Sequence, residues 1–520
     1  MGVLVDLLET PIFTTVPTAS HSLPGLLAAM ARDEIRNFPA LRPHQRPAWH
    51  MFLVQLGALA IWTDGREDLP ETEIEWRALL LALTACDTGP WSLTGTDHKP
   101  AFMQPPAPIG LNWKPVETPD ALDLLITSRN HDLKQQIARV AAAEDWVFAL
   151  VSLQTSEGYG GAGNNGIARM NGGSSSRAML TLAPASHDRA VPDPSSWWRR
   201  DVLTLIALRR NGDEMAPGAP GGPALLWAME WVEGHQLDLT RLDPWFIEVC
   251  RRVRLEQTHD GFVARRSTSS AARTDAKAFK GVLGDPWAPV SAEDPPKSLT
   301  LGEGDFTYRR LSDLMFSSDW HLPPLANLRK DDGDCLLVAE ALSRGNSKTD
   351  GFKSRIVPVP GAARRFFGPE TTGTLAKAQI EEIKVFDEAL RNALALVAAR
   401  GVFEDMGKAQ YARTTEARAQ FDRAADRLFF PSLWDRLAES QTGSDAGYYR
   451  FIRNLHQAAQ IELEVALPGI PCATLYRPRA EARAKRAYFA RLRKAEFQFL
   501  FDAQTSPDLP LVVEPEAADV

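Results

Sequence analysis

The chain has 520 residues, 44% of them hydrophobic, so it can bury large cores and divide into about two to four domains. Its formal net charge of −8 argues against a surface coated uniformly in nucleic acid, although such an average leaves room for local basic patches. Four isolated cysteines, Cys86, Cys250, Cys335 and Cys472, indicate neither a disulfide framework nor a C-x-x-C zinc site, and no apolar run reaches the roughly 18 residues of a membrane span.

In chain order, the segment Met1 to Asp6 lacks a basic leader region, and a cytoplasmic protein without membrane association is expected. Acid collects next, between Asp64 and Glu73. Breakers at Pro105-Pro106, Pro192-Asp193-Pro194, Pro217 to Pro223 and Pro295-Pro296 divide short strand-like and helical runs, which predicts a large, irregular α+β domain over residues 1–370. Within it, Trp146-Val147-Phe148-Ala149-Leu150-Val151 reads as a strand. It leads into the run Ser156-Glu157-Gly158-Tyr159-Gly160-Gly161-Ala162-Gly163-Asn164-Asn165-Gly166, and a second small-residue run follows from Gly172 to Ser176. Glycine backbone can take positive φ and approach a ligand that side chains would hold away. Base collects at Arg251-Arg252-Val253-Arg254 and continues through Arg265-Arg266 to Arg273, Lys277 and Lys280, a distribution suited to phosphates or to an acidic partner. The 14 tryptophans are scattered from Trp49 to Trp434, which is the distribution of core packing rather than of a ligand-stacking cluster.

From Thr374 the pattern turns helical. Ile380, Ile383, Leu390, Leu394 and Val397 mark a first amphipathic helix ending near Gly401. Phe421, Ala424, Ala425, Leu428 and Phe429 mark a second, stopped near Pro431. A third runs from Asp445 to Leu467 and ends at Pro468-Gly469. The fourth bears a basic face of Arg483, Lys485, Arg486, Arg493 and Lys494 opposite Tyr488, Phe489, Leu492 and Phe499. A C-terminal four-helix bundle over residues 371–505 is therefore expected, with an acidic tail over 506–520. The fold class is α+β.

Enzymatic signatures are weak. Gly161-Ala162-Gly163-Asn164-Asn165-Gly166 fits G-x-G-x-x-G, with Asp188 at a distance suited to a ribose, but Met170-Asn171-Gly172-Gly173 interrupts the helix that would hold a pyrophosphate. No G-K-[ST] follows any glycine cluster, and no G-x-S-x-G occurs. The pairs His131-Asp132, His187-Asp188 and His259-Asp260 leave a metal-dependent phosphohydrolase or nuclease as the alternative enzyme class, although no H-E-x-x-H or D-x-D pattern joins them. The chain reads as a binder without cofactor, metal or catalytic residues.

Several segments together resemble CasA, the large subunit of the type I-E CRISPR surveillance complex Cascade. They are Leu7-Leu8-Glu9-Thr10-Pro11-Ile12 with Ser22-Leu23-Pro24-Gly25-Leu26-Leu27, then His98-Lys99-Pro100-Ala101-Phe102-Met103-Gln104, the Gly158 to Gly166 loop, Ser343 to Gly351, and the helical C-terminus. The resemblance spans nearly the whole chain and rests on order and spacing. It implies a non-catalytic subunit that holds the guide-RNA handle and reads the protospacer-adjacent motif (PAM) of double-stranded DNA while base pairing reads the rest. It also implies work alongside the small subunits, the other Cascade subunits and a helicase-nuclease.

In that family the PAM is read through the minor groove by a glycine loop, a lysine finger and a glutamine wedge. The resemblance puts Gly160, Gly161 and Gly163 in the loop, where bare backbone suits the narrow groove. It puts the finger at Lys277, with Arg273 or Lys280 as alternatives. The wedge falls at Asn346, Ser347 and Lys348, where this chain lacks the glutamine and Asn346 is the nearest chemical substitute. The handle contact falls at Asn130 and His131. The basic face from Arg483 to Lys494 is assigned to the displaced strand or to a protein partner.

Overall fold

A computed structural model describes residues 5–123, 141–186, 190–213, 216–259, 261–302, 304–345, 348–440, 442–494 and 497–501, with residues 345 and 348–350 described as backbone alone. The chain divides into two units, Met1–Arg365 and Phe366–Val520. The range 506–520, expected as an acidic tail, lies outside the described residues.

The first unit is built on helices that are apolar on most sides. Helix α1 (Leu23–Ala31) is buried along its whole length and capped by Ser22 Oγ, which accepts from the Gly25 amide. Helix α2 (Arg46–Asp64) is buried from Pro47 to Ile61. The edge strand β1 (Lys114–Val116) precedes α3 (Ala143–Ser156), which opens with Glu144 and Asp145 where the helix dipole favours acid and is buried from Trp146 onward. The expected strand at Trp146–Val151 is thus a helix. Burial on every side gives its sequence a continuous apolar run, and such a run does not distinguish a core helix from a core strand.

Strand β2 (Met179–Pro184) and helix α4 (Pro194–Asn211) follow. Helix α2 packs against α3 and α4, with the Trp198 indole donating to Leu53 O at 2.9 Å and Trp49 meeting Phe13, Phe52 and Phe148 ring to ring. The tryptophans do serve the core: Trp49, Trp76, Trp91, Trp146, Trp198, Trp227, Trp231 and Trp287 are among its largest fully buried side chains.

Two antiparallel three-stranded sheets lie in the same unit. One contains β1, β3 (Arg252–Thr258) and β4 (Gly261–Ser267) in the order β1-β4-β3, with Lys114 opposite Arg266 and Arg254 opposite Arg265. The other contains β2, β5 (Cys335–Gly345) and β6 (Lys348–Val359) in the order β6-β5-β2. Val338 pairs with Thr181 on one side and Ile356 on the other.

The second unit is a bundle of α5 (Thr374–Ala398), α6 (Thr415–Ser440), α7 (Ala446–Ala466) and α8 (Arg477–Lys494), in which α5 touches the other three. Ile383, Phe386, Leu390 and Leu394 of α5 bury with Phe421, Ala425 and Phe429 of α6, Phe451, Leu455 and Leu463 of α7, and Ala480, Ala484, Tyr488 and Leu492 of α8. Helix α6 does not stop at Pro431 as expected. The proline lies on its exposed side, and buried Leu433, Trp434 and Leu437 carry the apolar stripe to Ser440. This packing outweighs the roughly 3 kcal/mol that an interior proline costs a helix.

Candidate nucleic-acid interface

The glycine loop begins where α3 ends. Gln154 receives the Cys250 and Arg251 amides on Oε1 and donates through Nε2 to Met103 O and Arg251 O, so this one buried amide fastens the chain ahead of β3 to the end of α3. The fastening aims the Arg251 side chain, whose Nη2 donates to Gly158 O at 2.6 Å. Across the loop, the Gly158 amide donates to Ser175 O and the Tyr159 amide to Gly173 O, which lays the two small-residue runs side by side. A reciprocal pair closes the turn: Gly160 N donates to Asn164 O and Asn164 N to Gly161 O, both at 2.9 Å.

The glycines do not share one purpose. A Cβ on Gly158 would sit 2.5 Å from Ser175 O, and one on Gly163 (φ +73°) would sit 2.5 Å from Thr268 Cβ. Both positions are small because the protein's own chain fills the space. Gly161 differs: its φ is +108° and a Cβ there would meet nothing within 4 Å. Gly160 and Ala162 are exposed beside it. Of the three, Gly161 opens to free space, Gly160 is exposed but a Cβ there would lie 3.2 Å from Arg251 Nη2 and 3.3 Å from Asn164 Cβ, and Gly163 supports the loop from within, so the three are not equivalent.

A cavity of about 750 Å³ opens beside this loop, lined among others by Gly158, Tyr159, Gly172 and Gly173 and by Arg273, Lys277 and Lys280. Lys277 is exposed and Lys280 half-buried, and neither forms an ion pair among the described residues. Arg273 is a poor finger. It is 4% exposed, donates to Met229 O at 3.2 Å and lies over the Trp231 ring, and burial, aided by nearby Arg252, pushes its guanidinium down to about 10. Burial likewise pushes the Cys250 thiol on the cavity wall up to about 11, leaving it a protonated apolar group.

Most of the basic run that suggested phosphate binding is internal. Arg251, Arg252 and Arg254 are all buried, Arg252 pairing with Glu233 over Trp231 and Arg254 donating to Gln104 O. Arg265 pairs with Asp97 and Glu256 over Trp113. Alternation along β4 turns the next residue, Arg266, to the other face, where it is exposed. Lys114, missed in the sequence because it stands alone there, is exposed directly opposite.

The β5–β6 hairpin carries the expected wedge. Asn346 and Ser347 lie outside the described residues, and Lys348 is placed by its backbone register opposite Gly345. The hairpin is tied near its tip to the start of the glycine loop. Arg344 Nη1 meets Glu157 Oε2 at 3.2 Å, with both side chains buried; Ser176 N donates to Leu342 O and Leu342 N to Ser176 Oγ. Desolvation pushes the Glu157 carboxyl up to about 7, against the attraction of Arg344 and Arg251. This pair joins residues 187 apart in sequence and leaves no local signal.

Asn130 and His131 lie outside the described residues, and each of the three His-Asp pairs has at least one member there. Among the described residues no group of three or more His, Cys, Asp or Glu side chains could hold a metal ion, and no helix is long and apolar enough to cross a membrane. In the bundle, Arg483 donates to Gly401 O and Arg493 lies over Phe501, while exposed Lys485, Arg486 and Lys494 form no ion pair among the described residues.

These two units together carry the fold of the CRISPR-associated Cse1/CasA proteins. Cse1 from Acidimicrobium ferrooxidans is similar over 96% of this chain and 99% of its own, at 14% identity and a TM-score of 0.64. Thermus thermophilus CasA (Cse1) is similar over 94% of this chain and 99% of its own, at 14% identity and a TM-score of 0.63. A chain of a CRISPR RNA-guided surveillance complex in a pre-nicking state is similar over 94% of this chain and 98% of its own, at 12% identity and a TM-score of 0.51. No family model and no curated protein matches the sequence.

Proposed function

We propose that this chain is the non-catalytic large subunit of a type I-E RNA-guided surveillance complex, which recognises the PAM of incoming duplex DNA from the minor groove and starts strand separation. The observation that carries the reading is that the root of the glycine loop, at Gly158, Tyr159 and Gly166, lines one cavity with Lys277 and Lys280, two lysines that form no ion pair among the described residues. Backbone at exposed Gly160 and at Gly161 approaches a groove about 6 Å wide, too narrow for a helix or a bulky loop, whose pattern of acceptors is degenerate. A lysine at the groove edge supplies a donor for those base-edge acceptors. Lys277 is the finger on this reading, because Arg273 is already committed to the core.

The hairpin β5–β6, anchored through Arg344 to the loop root, enters next to the PAM and holds open the first base pair, an unstacking that costs a few kcal/mol. Guide RNA, the small subunits and other Cascade subunits, and a helicase-nuclease recruited after opening complete the set of partners. The exposed Lys485, Arg486 and Lys494 give the bundle a basic face for the displaced strand. The test is reconstitution with guide RNA and partner subunits, with and without this chain. Target binding that depends both on the chain and on a short motif beside the guide-matched sequence supports the proposal. Equal binding without the chain, or DNA cleavage by the chain alone, overturns it.

A further inference from the structure

The cross-strand pair Lys114 and Arg266 has no explanation in the fold itself. The two residues stand directly opposite each other in the β1–β4 ladder, so their side chains share one face of the sheet, and both are exposed. Like charges placed opposite each other destabilise a strand pair. Folds usually answer such a pair with an acid, and here the nearby acids are engaged elsewhere: Asp97 and Glu256 both pair with Arg265, on the opposite face of β4. Neither Lys114 nor Arg266 forms an ion pair among the described residues. Two adjacent cations without a counter-charge are a site of positive potential that an external anion would relieve.

Their place says which anion. Beyond Ser267, where β4 ends, the chain continues to Thr268 and Ser269, which contact the glycine loop: Ser269 N donates to Gly163 O at 2.9 Å, and Thr268 fills the space beside Gly163. Arg266 is two residues from Thr268, about 7 Å along an extended chain. A duplex seated on the loop presents a phosphate about every 3.4 Å of axis on each strand, so its backbone passes within reach of this pair. We infer that Lys114 and Arg266 form a phosphate clamp that grips the backbone of the incoming duplex beside the glycine loop, independently of sequence.

The inference deepens the PAM-reading proposal and rests on it for the seating of the duplex. Its test uses the complex reconstituted on guide RNA, with Lys114→Ala, Arg266→Ala and the double variant, and measures duplex binding across a salt series. Each lost phosphate contact should lower the slope of log affinity against log salt by about 0.9, and the double variant by about twice that. Affinity should fall by the same factor for duplexes with and without the PAM, since a phosphate contact carries no sequence information.

Both positions are exposed, and a melting temperature equal to or above that of the wild type reports that the fold is kept. An unchanged salt slope in the double variant overturns the inference. So does a loss confined to guide-RNA retention, which would assign the pair to RNA. Failure of the two proposals is distinguishable: a wild-type complex that ignores the PAM, yet whose salt slope falls in the double variant, retains the clamp and overturns the PAM reading.

Discussion

A Cβ added to Gly163 would lie 2.5 Å from Thr268 Cβ, whereas one added to Gly161 would meet nothing within 4 Å, so two glycines two residues apart serve different ends. Gly163→Ala combines a left-handed conformation with an overlap against the Thr268 side chain, whose Cβ cannot swing away without moving its backbone. It is expected to destabilise the first unit by about 2–4 kcal/mol in urea unfolding. Thr268→Gly in the same chain should recover the steric part of that loss. A Gly163→Ala protein as stable as the wild type would show that the contact is dispensable. Composition alone gave the loop's location, because a glycine run is visible in any reading, but it could not separate glycines facing out from glycines facing in. The arginines taught the same lesson. Arg251, Arg252 and Arg254 look like a phosphate patch in sequence and are buried in the fold, where one donates to the loop and another stacks on Trp231.

At the scale of elements, legibility followed exposure. Helices α5, α7 and α8 each bury one side and face solvent on the other, so their periods of three and four survive in the sequence. Helix α3 is buried all round and lost that period. The tie between hairpin and loop was illegible because Glu157 and Arg344 meet only through tertiary structure. It carries a pH signature. The Glu157 carboxyl is raised from its ordinary 4.5 to about 7, by burial first, with nearby Asp123 adding and with Arg344 and Arg251 opposing. A raised folded-state value means that the folded protein holds the proton more tightly than the unfolded chain does. The stability this group contributes is complete below about 4.5 and is lost as pH rises through about 7. Glu157→Gln should remove that component, so wild type and variant should differ in the slope of unfolding free energy against pH within this window. Identical slopes would contradict the assignment.

At the scale of the whole molecule, each unit offers cations that form no ion pair among the described residues. In the first unit, Lys277 and Lys280 line a cavity together with the root of the glycine loop, and Lys114 and Arg266 stand opposite each other in the β1–β4 ladder. In the second, Lys485, Arg486 and Lys494 line one helix. A chain with a net charge of −8 thus concentrates its available base in a few places, which fits selective contacts with nucleic acid better than general adhesion. The central claim is that the first unit reads a short motif in duplex DNA with Lys277 as its principal side chain. The most direct measurement is the ratio of affinities for PAM and non-PAM duplexes in the complex reconstituted with Lys277→Ala. Loss of one groove contact should cost about 1–3 kcal/mol on the PAM duplex, roughly fivefold to 150-fold, with little change on the other and intact assembly. A Lys277→Ala complex that keeps the wild-type ratio would contradict the account.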